Sequence, residues 1–498
     1  MDRKQLLEAV ASNDLVIEPQ AVECVLAADD SAKLLDSAII NVVKSNDFVI
    51  THRLIDDLSE SLRLSKISDG VEGVQPGFVP LAASVKSRLE VNWREDVSNQ
   101  SRCTGKIEDF VSYFRDRFKR IKLMYKLRGV EVAPSLKQVK EANNRDRKTI
   151  VGMVNSTKTT KNGHFLIELE DEEGVLNCLV PKDSDFREQA ANIMLDEVIA
   201  FTGYLSDSLF IVKEISWPEI PIRAKKLCEE DSCIAFLSDL HVGSKFFLGN
   251  EFNSFLNFLN GKGTAEEQEA ASKIKYMLIA GDLVDGIGVY PTQEKQLVTK
   301  DIYAQYELCW ELLKKIPQHI EIVISPGNHD AVRNAEPQPK LLDEFTEDLK
   351  GFENIHLVGN PAWIKISDLR VLIYHGTSMD TIIAAMPNMS IGYQQPERVG
   401  VEMLRRRHLS PVYGEKPIVP EQRDFMVIDD VPDIFHFGHV HKNGYKDYRG
   451  TLIVNSGTWQ DTTDFQVKIG HVPSPCQLPV YNIKTGVLKT FNFRGEAK

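Results

Sequence analysis

The stretch CIAFLSDLH, residues 233–241, decides the fold class of this chain. Its apolar part, IAFL, is short and lacks polar alternation, which is typical of a strand buried on both faces of an α/β sheet. Polar residues follow at once, with Asp239 and His241 two positions apart. Because loops at strand ends carry the reactive groups of such sheets, we expect a functional site directly after this strand.

The same pattern of an apolar run followed by polar residues recurs four more times towards the C-terminus. YMLIA precedes Gly281-Asp282, IEIVI precedes the segment SPGNHD at 325–330, VLIY precedes His375-Gly376, and DIFHF precedes the segment GHVH at 438–441. These runs predict the buried strands of an α/β sandwich that occupies residues 223–498.

Seven side chains at these strand ends form a set of candidate metal ligands. A spacing of two residues places both side chains on one side of an extended segment, so each pair can reach one ion. Three oxygen donors and four imidazoles are too many for one zinc, and they suit two divalent ions about 3.5–4 Å apart that share a bridging carboxylate. The sequence therefore predicts a two-metal hydrolytic site from Asp239, His241, Asp282, Asn328, His375, His439 and His441.

Each motif alone also has a structural interpretation. A lone Asp-x-His or Gly-Asp is usually a turn or a helix cap, but five such motifs in order at five strand ends are hard to explain by packing. Asp285 is either a turn residue or a contact behind the ligands, and Asp330 is either a helix N-cap or a partner of His329. His436 is expected in the core, and the remaining histidines are expected in structural or surface positions: His52, His164, His319, His356, His408 and His471.

The first 147 residues divide into three parts by pattern. Residues 1–65 repeat short helical patterns with polar breaks and predict a small helical domain, and residues 66–105 have the Ser, Gly and Pro content of a flexible linker. Residues 106–147 hold a basic amphipathic helix and a connector, whose charged face is either solvated or a strip that contacts a DNA backbone. The predicted apolar face is Ile107, Phe110, Val111, Phe114, Phe118, Ile121 and Tyr125, and the basic face is Arg115, Arg117, Lys119, Arg120, Lys122, Lys126 and Arg128.

Residues 148–222 contain five short runs rich in β-formers, separated by turn residues. Five strands of this kind predict an OB-type β-barrel. Such barrels bind nucleic acid or serve as spacers between proteins, and the sequence leaves both roles open. The fold class is thus a multidomain α/β protein with an N-terminal helical domain, an OB-type barrel and a C-terminal α/β sandwich.

Composition limits the function classes. The 59 basic and 72 acidic residues give a net charge of -13, so the chain does not bind nucleic acid through overall charge. Seven scattered cysteines without a CxxC pair predict free thiols. The N-terminal residues 1–20 mix acids into apolar positions, unlike a signal peptide, and no run is long enough for a spanning helix. We therefore expect a cytoplasmic protein without a membrane partner.

The ordered motifs resemble those of the calcineurin-like metallophosphoesterase superfamily: Asp239-x-His241, Gly281-Asp282, Gly327-Asn328-His329-Asp330, His375 and Gly438-His439-x-His441. With the barrel and the helical domain upstream, the whole chain is similar to the small subunits of archaeal family D DNA polymerases. The helix sequence FVSYFRDRFKRI and the segment 395–420, with RRRHLSPVYG inside it, carry the same resemblance.

The resemblance implies a role for each matched residue. Asp239, His241 and His441 would hold the first ion, Asn328, His375 and His439 the second, and Asp282 would bridge them. His329 would protonate the leaving oxygen. Two divalent ions, with Mn²⁺ as the family-level expectation, would support hydrolysis of 3′-terminal phosphodiester bonds of DNA, which is the 3′ to 5′ exonuclease activity of proofreading. The partners implied are a large catalytic polymerase subunit and DNA 3′ ends, so the resemblance also implies a chromosome-associated protein.

Two other functions remain open at this stage. One is a structural subunit whose phosphoesterase domain is only an interaction platform, and the other is a free-standing repair nuclease or phosphodiesterase. For Arg405, Arg406, Arg407 and Lys442, the alternatives are surface charge or a subunit interface on one hand and contacts to DNA phosphates on the other.

Overall fold

A computed structural model describes residues 1–28, 30–45, 47–59, 73–91, 93–142, 145–387, 389–468 and 470–495. Residues 60–65 of the predicted helical domain, residues 66–72 and 92 of the predicted linker, and residues 143–144 of the connector lie outside the described residues. Within the described residues, no helix combines the length and apolar character needed to span a membrane. All seven cysteines are free, as predicted.

The N-terminal part is helical. Its helices are α1 (Arg3–Ala11), α2 (Pro19–Ala27) and α3 (Ser31–Lys44), and residues 52–59 are helical as well. Asp2 caps α1 because its carboxylate accepts a hydrogen bond from the Gln5 amide. Two short parallel strands, β1 (Val16–Ile17) and β2 (Val49–Ile50), join the helices around a small core that includes Leu6, Val25 and Leu35.

The described part of the predicted linker packs against the C-terminal domain along its length. A 3-10 helix spans Leu81–Ser84, and β3 (Leu89–Glu90) pairs antiparallel with the strand Ala362–Ile366. Further along, Asp96 accepts a hydrogen bond from the Gly359 amide at 2.5 Å, and Trp93 packs edge-on against Trp363. The prediction of a flexible linker is wrong for residues 73–91 and 93–105, because backbone pairing and aromatic packing hold a segment whose composition alone indicates mobility.

The basic helix is α4 (Ile107–Leu127), and a shorter helix, α5 (Leu136–Ala142), follows it. The prediction of its buried face is partly wrong. Phe118, Ile121 and Tyr125 are buried as predicted, but Ile107 is 79% exposed. Arg117, placed on the basic face, is 2% exposed, because its Nε donates to the buried Asp424 at 2.8 Å in the C-terminal domain.

Residues 148–216 form a closed five-stranded barrel, as predicted. Its strands are β4 (Lys148–Thr159), β5 (Phe165–Glu170), β6 (Val175–Val180), β7 (Val198–Ser206) and β8 (Leu209–Ser216), in the order β4-β5-β6-β8-β7. Pairs are antiparallel except β6 with β8, and helix α6 (Arg187–Ala191) lies between β6 and β7 in the chain. Alternate residues of the strands fill the barrel with apolar side chains such as Ile167, Phe201 and Phe210.

Two six-stranded sheets make the C-terminal domain. The first has the order β12-β11-β10-β9-β18-β19, in which β9 to β12 are parallel. Its strands are β9 (Cys233–Leu237), β10 (Ile274–Ala280), β11 (Glu321–Ser325), β12 (Ile355–Leu357), β18 (Gln477–Asn482) and β19 (Leu488–Asn492).

The second sheet has the order β16-β17-β15-β14-β13-β3, in which β14, β15 and β17 are parallel. Its further strands are β13 (Ala362–Ile366), β14 (Leu369–Ile373), β15 (Ile434–Phe437), β16 (Asn443–Tyr448) and β17 (Thr451–Ser456). An apolar core between the sheets includes Phe236, Leu278, Ile364 and Val371.

Helices cover the outer faces of the sandwich. On the first sheet, α7 (Gly249–Leu259) and α9 (Ile302–Leu313) contribute Phe255 and Trp310 to a second core, with α8 (Ala265–Lys273) beside them. On the second sheet, α10 (Met379–Ala385) and α11 (Pro396–Arg406) form a third core, and α12 (Asp464–Lys468) follows later in the chain. The predicted α/β sandwich is therefore confirmed, with helices on both outer faces.

Buried ion pairs fix the barrel to the sandwich. Arg406, 1% exposed, bonds to Glu197 at the start of the barrel strand β7 and to Glu402 on its own helix. Arg407 donates from Nε to the Ile428 carbonyl at 2.7 Å, and Arg405 bonds Glu402 at 2.7 Å. Neither predicted alternative holds for Arg406 and Arg407, because their partners lie within this chain and their side chains are buried. The Arg405 side chain is 35% exposed, so both alternatives stay open for that residue.

Candidate metal centre

The seven predicted ligands lie on loops at the carboxyl ends of parallel strands. Asp239 and His241 follow β9, Asp282 follows β10, and Asn328 follows β11 in the first sheet. His375 follows β14, and His439 and His441 follow β15 in the second sheet. Because these ends meet at one edge of the sandwich, side chains separated by up to 202 positions in the chain come together.

Asp239, His241 and His441 form the first group of acceptor atoms, all within 4.8 Å of one another. His441 Nε2 is 3.4 Å from Asp239 Oδ1 and 3.0 Å from His241 Nε2. The carboxylate of Asp285 lies 3.0 Å from His241 Nδ1, which places the ring proton on Nδ1. The lone pair of Nε2 on His241 is then directed into the group, as a metal ligand requires.

Asp282, Asn328 and His375 form the second group. His375 Nε2 is 2.9 Å from Asn328 Oδ1 and 3.3 Å from Asp282 Oδ2. Its Nδ1 is 2.8 Å from the Ala280 carbonyl, which can only accept, so Nδ1 carries a proton. Burial alone would lower the pKa of His375, but Asp282 and Asp239 outweigh it and raise the pKa to about 10.

This clustering of acceptors fits a cation. Two carboxylates, an amide oxygen and several imidazole nitrogens meet at this point. The side chains of Asp239, Asp282 and His375 are only 0–2% exposed. Without a positive charge, two buried carboxylates this close together would repel each other strongly, so the cluster suits a bound cation. The donor set of nitrogen and oxygen atoms suits divalent Mn, Fe, Co, Ni or Zn.

Asp282 lies between the two groups. Its Oδ2 is 3.3 Å from His375 Nε2 and 3.8 Å from His241 Nε2, and its Oδ1 accepts a hydrogen bond from the His329 amide at 2.8 Å. His439 differs from the other six residues, because its Nε2 contacts a carboxylate outside the two groups. Its ring centroid is 5.2 Å from that of His375, but its Nε2 is 3.1 Å from a carboxylate oxygen of Asp380.

Five of the seven residues have a left-handed backbone. Their φ angles lie between 52° and 73°, at Asp239, His241, Asp282, His439 and His441. The two-residue spacing of the Asp-x-His and His-x-His pairs predicts an extended backbone, and this prediction is wrong. The pairs converge because left-handed residues turn the chain sharply after each strand, a conformation that Asp and His tolerate better than branched residues do and that is concentrated at functional sites.

Two glycines of the motifs are required by close packing. A Cβ at Gly281 would lie 2.5 Å from Nδ1 of His375, and a Cβ at Gly327 would overlap the carboxylate of Asp282. Gly281 also has a φ of 85°. The glycines of the Gly-Asp and Gly-Asn motifs therefore allow the loops from β10, β11 and β14 to touch.

His329 lies beside the first group, with its ring centroid 4.6 Å from that of His241. Its Nδ1 is 2.7 Å from the carbonyl of Asp285, which fixes a proton on Nδ1 and leaves Nε2 as the nitrogen that can exchange one. Asp330 does neither of the two things proposed from the sequence. Its carboxylate accepts from the Gly327 amide at 2.8 Å and the Leu283 amide at 3.2 Å and so joins two loops.

The environment of Asp330 is buried and acidic. Burial and the charge of Asp282 raise the pKa of Asp330 to about 6. The hydroxyl of Tyr306 donates to the same carboxylate at 3.2 Å. Asp330 therefore holds the loop that carries Asn328 and His329 against the loop that carries Asp282.

Several residues behind the ligands were missed or undervalued in the sequence. Asp285 is not a simple turn residue, since it accepts from Gln293 and Gln460 as well as contacting His241. Gln466 Nε2 lies 2.9 Å from His441 Nδ1, and Asp380 contacts His439. For Asp285, its place three residues after Asp282 in GDLVDG is the available signal. Gln293, Asp380, Gln460 and Gln466 have no such signal.

The other histidines lie where the sequence places them. His436 is buried on β15 with its Nε2 3.0 Å from the Ser456 hydroxyl, and burial lowers its pKa to about 3. His52, His356 and His408 contact Glu18, Glu321 and Asp424, away from the centre. His471 is buried beside the centre, with its Nε2 2.7 Å from the carbonyl of Val440, between His439 and His441.

Comparison with known proteins identifies the family. Residues 234–444 match the family model of the DNA polymerase alpha/epsilon B subunit, and residues 148–220 match a model described as OB-fold nucleic acid binding domain. The DNA polymerase II small subunit of Methanocaldococcus jannaschii is 42% identical over 432 residues, which cover 86% of this chain and 72% of that protein. The subunit of Archaeoglobus fulgidus is 38% identical over 483 residues, with 96% of each chain covered.

The chain belongs to the DNA polymerase II small subunit family. The member from Methanothermobacter thermautotrophicus supports this at 36% identity, with 98% of this chain and 99% of that one covered. The resemblance to the small subunits of archaeal family D DNA polymerases is thereby confirmed, as is the OB-type barrel. A solved archaeal phosphodiesterase aligns with 52% of this chain and 98% of its own chain at 13% identity, with a TM-score of 0.26.

Proposed function

We propose that this small subunit is a metal-dependent 3′ to 5′ exonuclease that removes nucleotides from DNA 3′ ends and also binds a large polymerising subunit. The convergence of the seven predicted ligands at one edge of the sandwich is the observation that carries the proposal. A packing role does not explain why two carboxylates, an amide oxygen and several imidazoles gather away from solvent, because burying like charges side by side costs free energy unless a cation is present.

The ligand roles follow the two groups. Asp239, His241 and His441 would hold one ion, and Asn328, His375 and His439 would hold the other. Asp282 would serve both, in keeping with its position between His241 and His375. When bound, two such ions lower the pKa of water and neutralise charge on a phosphate, and Mn²⁺ is the ion expected.

The chain's own residues prepare this centre and supply a proton. Asp285 and the Ala280 carbonyl keep the ring protons of His241 and His375 away from the ions. His329 would protonate the departing 3′-oxygen from Nε2, since Nδ1 is engaged by the Asp285 carbonyl. The backbone amide of His329 donates a hydrogen bond to the Asp282 carboxylate at 2.8 Å, so the proposed proton donor is held next to the proposed bridging ligand.

The structural-subunit alternative predicts no hydrolysis, and the complete ligand set counts against it. A free-standing nuclease remains an alternative, although the buried pair of Arg406 and Glu197 joins the sandwich to a barrel that an isolated phosphoesterase domain does not need. DNA contact by the barrel is proposed only as a secondary role. The net charge of -13 implies that a positively charged partner holds most of the DNA.

Digestion of a 5′-labelled, 3′-recessed DNA with a paired or mismatched end tests the proposal. The purified chain is assayed in Mn²⁺ with and without the large subunit, beside His329→Ala. A ladder shortened stepwise from the 3′ end, and slowed 10²- to 10⁴-fold by the substitution, supports the exonuclease. His356→Ala, whose ring contacts Glu321 on the first sheet, is the matched control and keeps wild-type activity. No cleavage in any combination would favour the structural subunit.

A further inference from the structure

One carboxylate at the second group is shared by three side chains. Asp380, in the first turn of α10, has Oδ2 at 3.1 Å from His439 Nε2 and at 3.2 Å from Lys416 Nζ. Its Oδ1 accepts a hydrogen bond from the Tyr393 hydroxyl at 3.0 Å. These three partners come from separate segments after α10, so the Asp380 carboxylate is the point at which they meet.

The contact to His439 decides which ring nitrogen is available. A carboxylate only accepts hydrogen bonds, so the contact with Asp380 places a proton on Nε2 of His439. Nδ1 is then the nitrogen with a free lone pair. The ring centroid of His439 lies 5.2 Å from that of His375, so His439 is next to the second group and its Nδ1 can complete that group.

The backbone of the loop after α11 holds Lys416 in place. The Glu336 amide donates to the Pro417 carbonyl at 3.2 Å, and the Val419 amide donates to the Glu336 carbonyl at 2.8 Å. The lysine side chain is 29% exposed, so it is restrained but still reaches solvent. Its ammonium group has three protons, and the contact with Asp380 engages one of them.

We propose that Asp380 is a positioning residue that orients His439 towards the second ion and holds Lys416 beside the centre, where the lysine contacts a backbone phosphate at the DNA 3′ end. This inference rests on the proposed nuclease function and adds a substrate contact to it. A single ammonium charge binds phosphate without reading sequence, which suits an enzyme that must accept every 3′ end.

A purely structural ion pair is the competing explanation. Partly exposed ion pairs contribute little to stability, and such a pair would affect neither ion nor DNA binding. Two binding measurements without turnover therefore separate the alternatives, and they also separate this inference from the proposed function.

The first measurement is calorimetric titration of the full chain with Mn²⁺. Asp380→Asn keeps the shape of the side chain but removes its charge, and we expect one Mn²⁺ affinity to weaken 10- to 100-fold. Tyr393→Phe removes one hydrogen bond to the same carboxylate and should weaken that affinity about threefold. If Asp380→Asn does not fold, Tyr393→Phe decides. Wild-type Mn²⁺ affinity in the folded variants would overturn the role assigned to Asp380.

The second measurement is fluorescence anisotropy of a single-stranded oligodeoxynucleotide in Ca²⁺ over a range of salt. Lys416→Gln should keep both Mn²⁺ affinities within twofold, weaken DNA binding about tenfold, and reduce the slope of log K against log salt by about 0.7. Lys446→Gln, at an exposed lysine of β16, is the charge-matched control and should leave DNA binding unchanged. Equal DNA affinities for the two lysine variants would overturn the role of Lys416.

Discussion

Asp285 lies directly behind His241, with its Oδ1 3.0 Å from the ring Nδ1. Both side chains are 1–2% exposed, and Gln293 and Gln460 donate to the same carboxylate. A buried carboxylate that contacts a candidate ligand histidine fixes the ring orientation and increases the basicity of the free nitrogen. The first group is thus supported by a second layer of hydrogen bonds from the connections that follow β10 and β17.

Replacement of Asp285 by Asn should weaken metal binding without unfolding the chain. The amide can contact Nδ1 but carries no charge, so we expect a 10- to 100-fold loss in Mn²⁺ affinity at one ion. Calorimetry measures it, with the exposed Asp348→Asn as the matched control. An unchanged affinity in Asp285→Asn would show that the contact is not needed to hold His241.

Replacement of Gly327 by Ala should disturb the centre through packing alone. The new Cβ would overlap the Asp282 carboxylate and approach its backbone amide at 2.6 Å, so the two loops must separate. We expect at least a tenfold loss in Mn²⁺ affinity, because displacing a supporting contact costs about that much. Gly174→Ala, where the nearest side-chain atom is 3.8 Å from the new Cβ, serves as the control. Normal Mn²⁺ binding by Gly327→Ala would mean that the loops relax freely.

Replacement of Arg406 by Met should destabilise the junction between barrel and sandwich. It leaves Glu197 buried without its cation, which costs about 3–5 kcal/mol, whereas Glu402 keeps its contact with Arg405. Urea unfolding measures the loss, and Lys446→Met at an exposed position should change the unfolding free energy by at most about 0.5 kcal/mol. Similar stabilities for the two variants would indicate that the interface does not depend on this pair of contacts.

How far the sequence predicts the structure depends on where the signal lies. Local apolar runs and short motifs predict the ligands, the five sandwich strands that precede them and the barrel. In each case the residues that give the signal are neighbours in the sequence. The basic helix shows where local patterns fail to predict burial, because Arg117 is buried against Asp424, which is 307 positions away in the sequence. The contacts of Asp380 and Gln466 with the ligand histidines cannot be predicted from the sequence either, since no motif lies near these two residues. The left-handed backbone of the ligand loops is also absent from any hydrophobic pattern.

Acid should destabilise the chain through His408. Burial, with Arg117 nearby, lowers the pKa of His408 to about 4, although Asp424 at 2.8 Å opposes the shift and Arg120 adds to it. The unfolded chain takes up this proton near pH 6.5 and the folded chain does not, so stability is full above about pH 6.5 and is lost as the pH falls towards 4.

The slope of that loss approaches about 1.4 kcal/mol per pH unit for one such histidine. His408→Gln should flatten the profile of urea midpoint against pH between 4 and 6.5, after subtraction of its overall effect on stability. His52→Gln, at a half-exposed histidine of the N-terminal part, should keep the wild-type slope. Parallel profiles for wild type and His408→Gln would contradict the assigned shift.

The central claim is that seven side chains form a centre for two ions, and the number of bound Mn²⁺ ions tests it most directly. Elemental analysis of the dialysed chain should give two Mn²⁺ per molecule for the wild type and one for His375→Ala, which removes a ligand of the second group. The control His356→Ala should keep two. A wild type that retains one ion or none, or a His375→Ala variant that keeps both, would contradict the account.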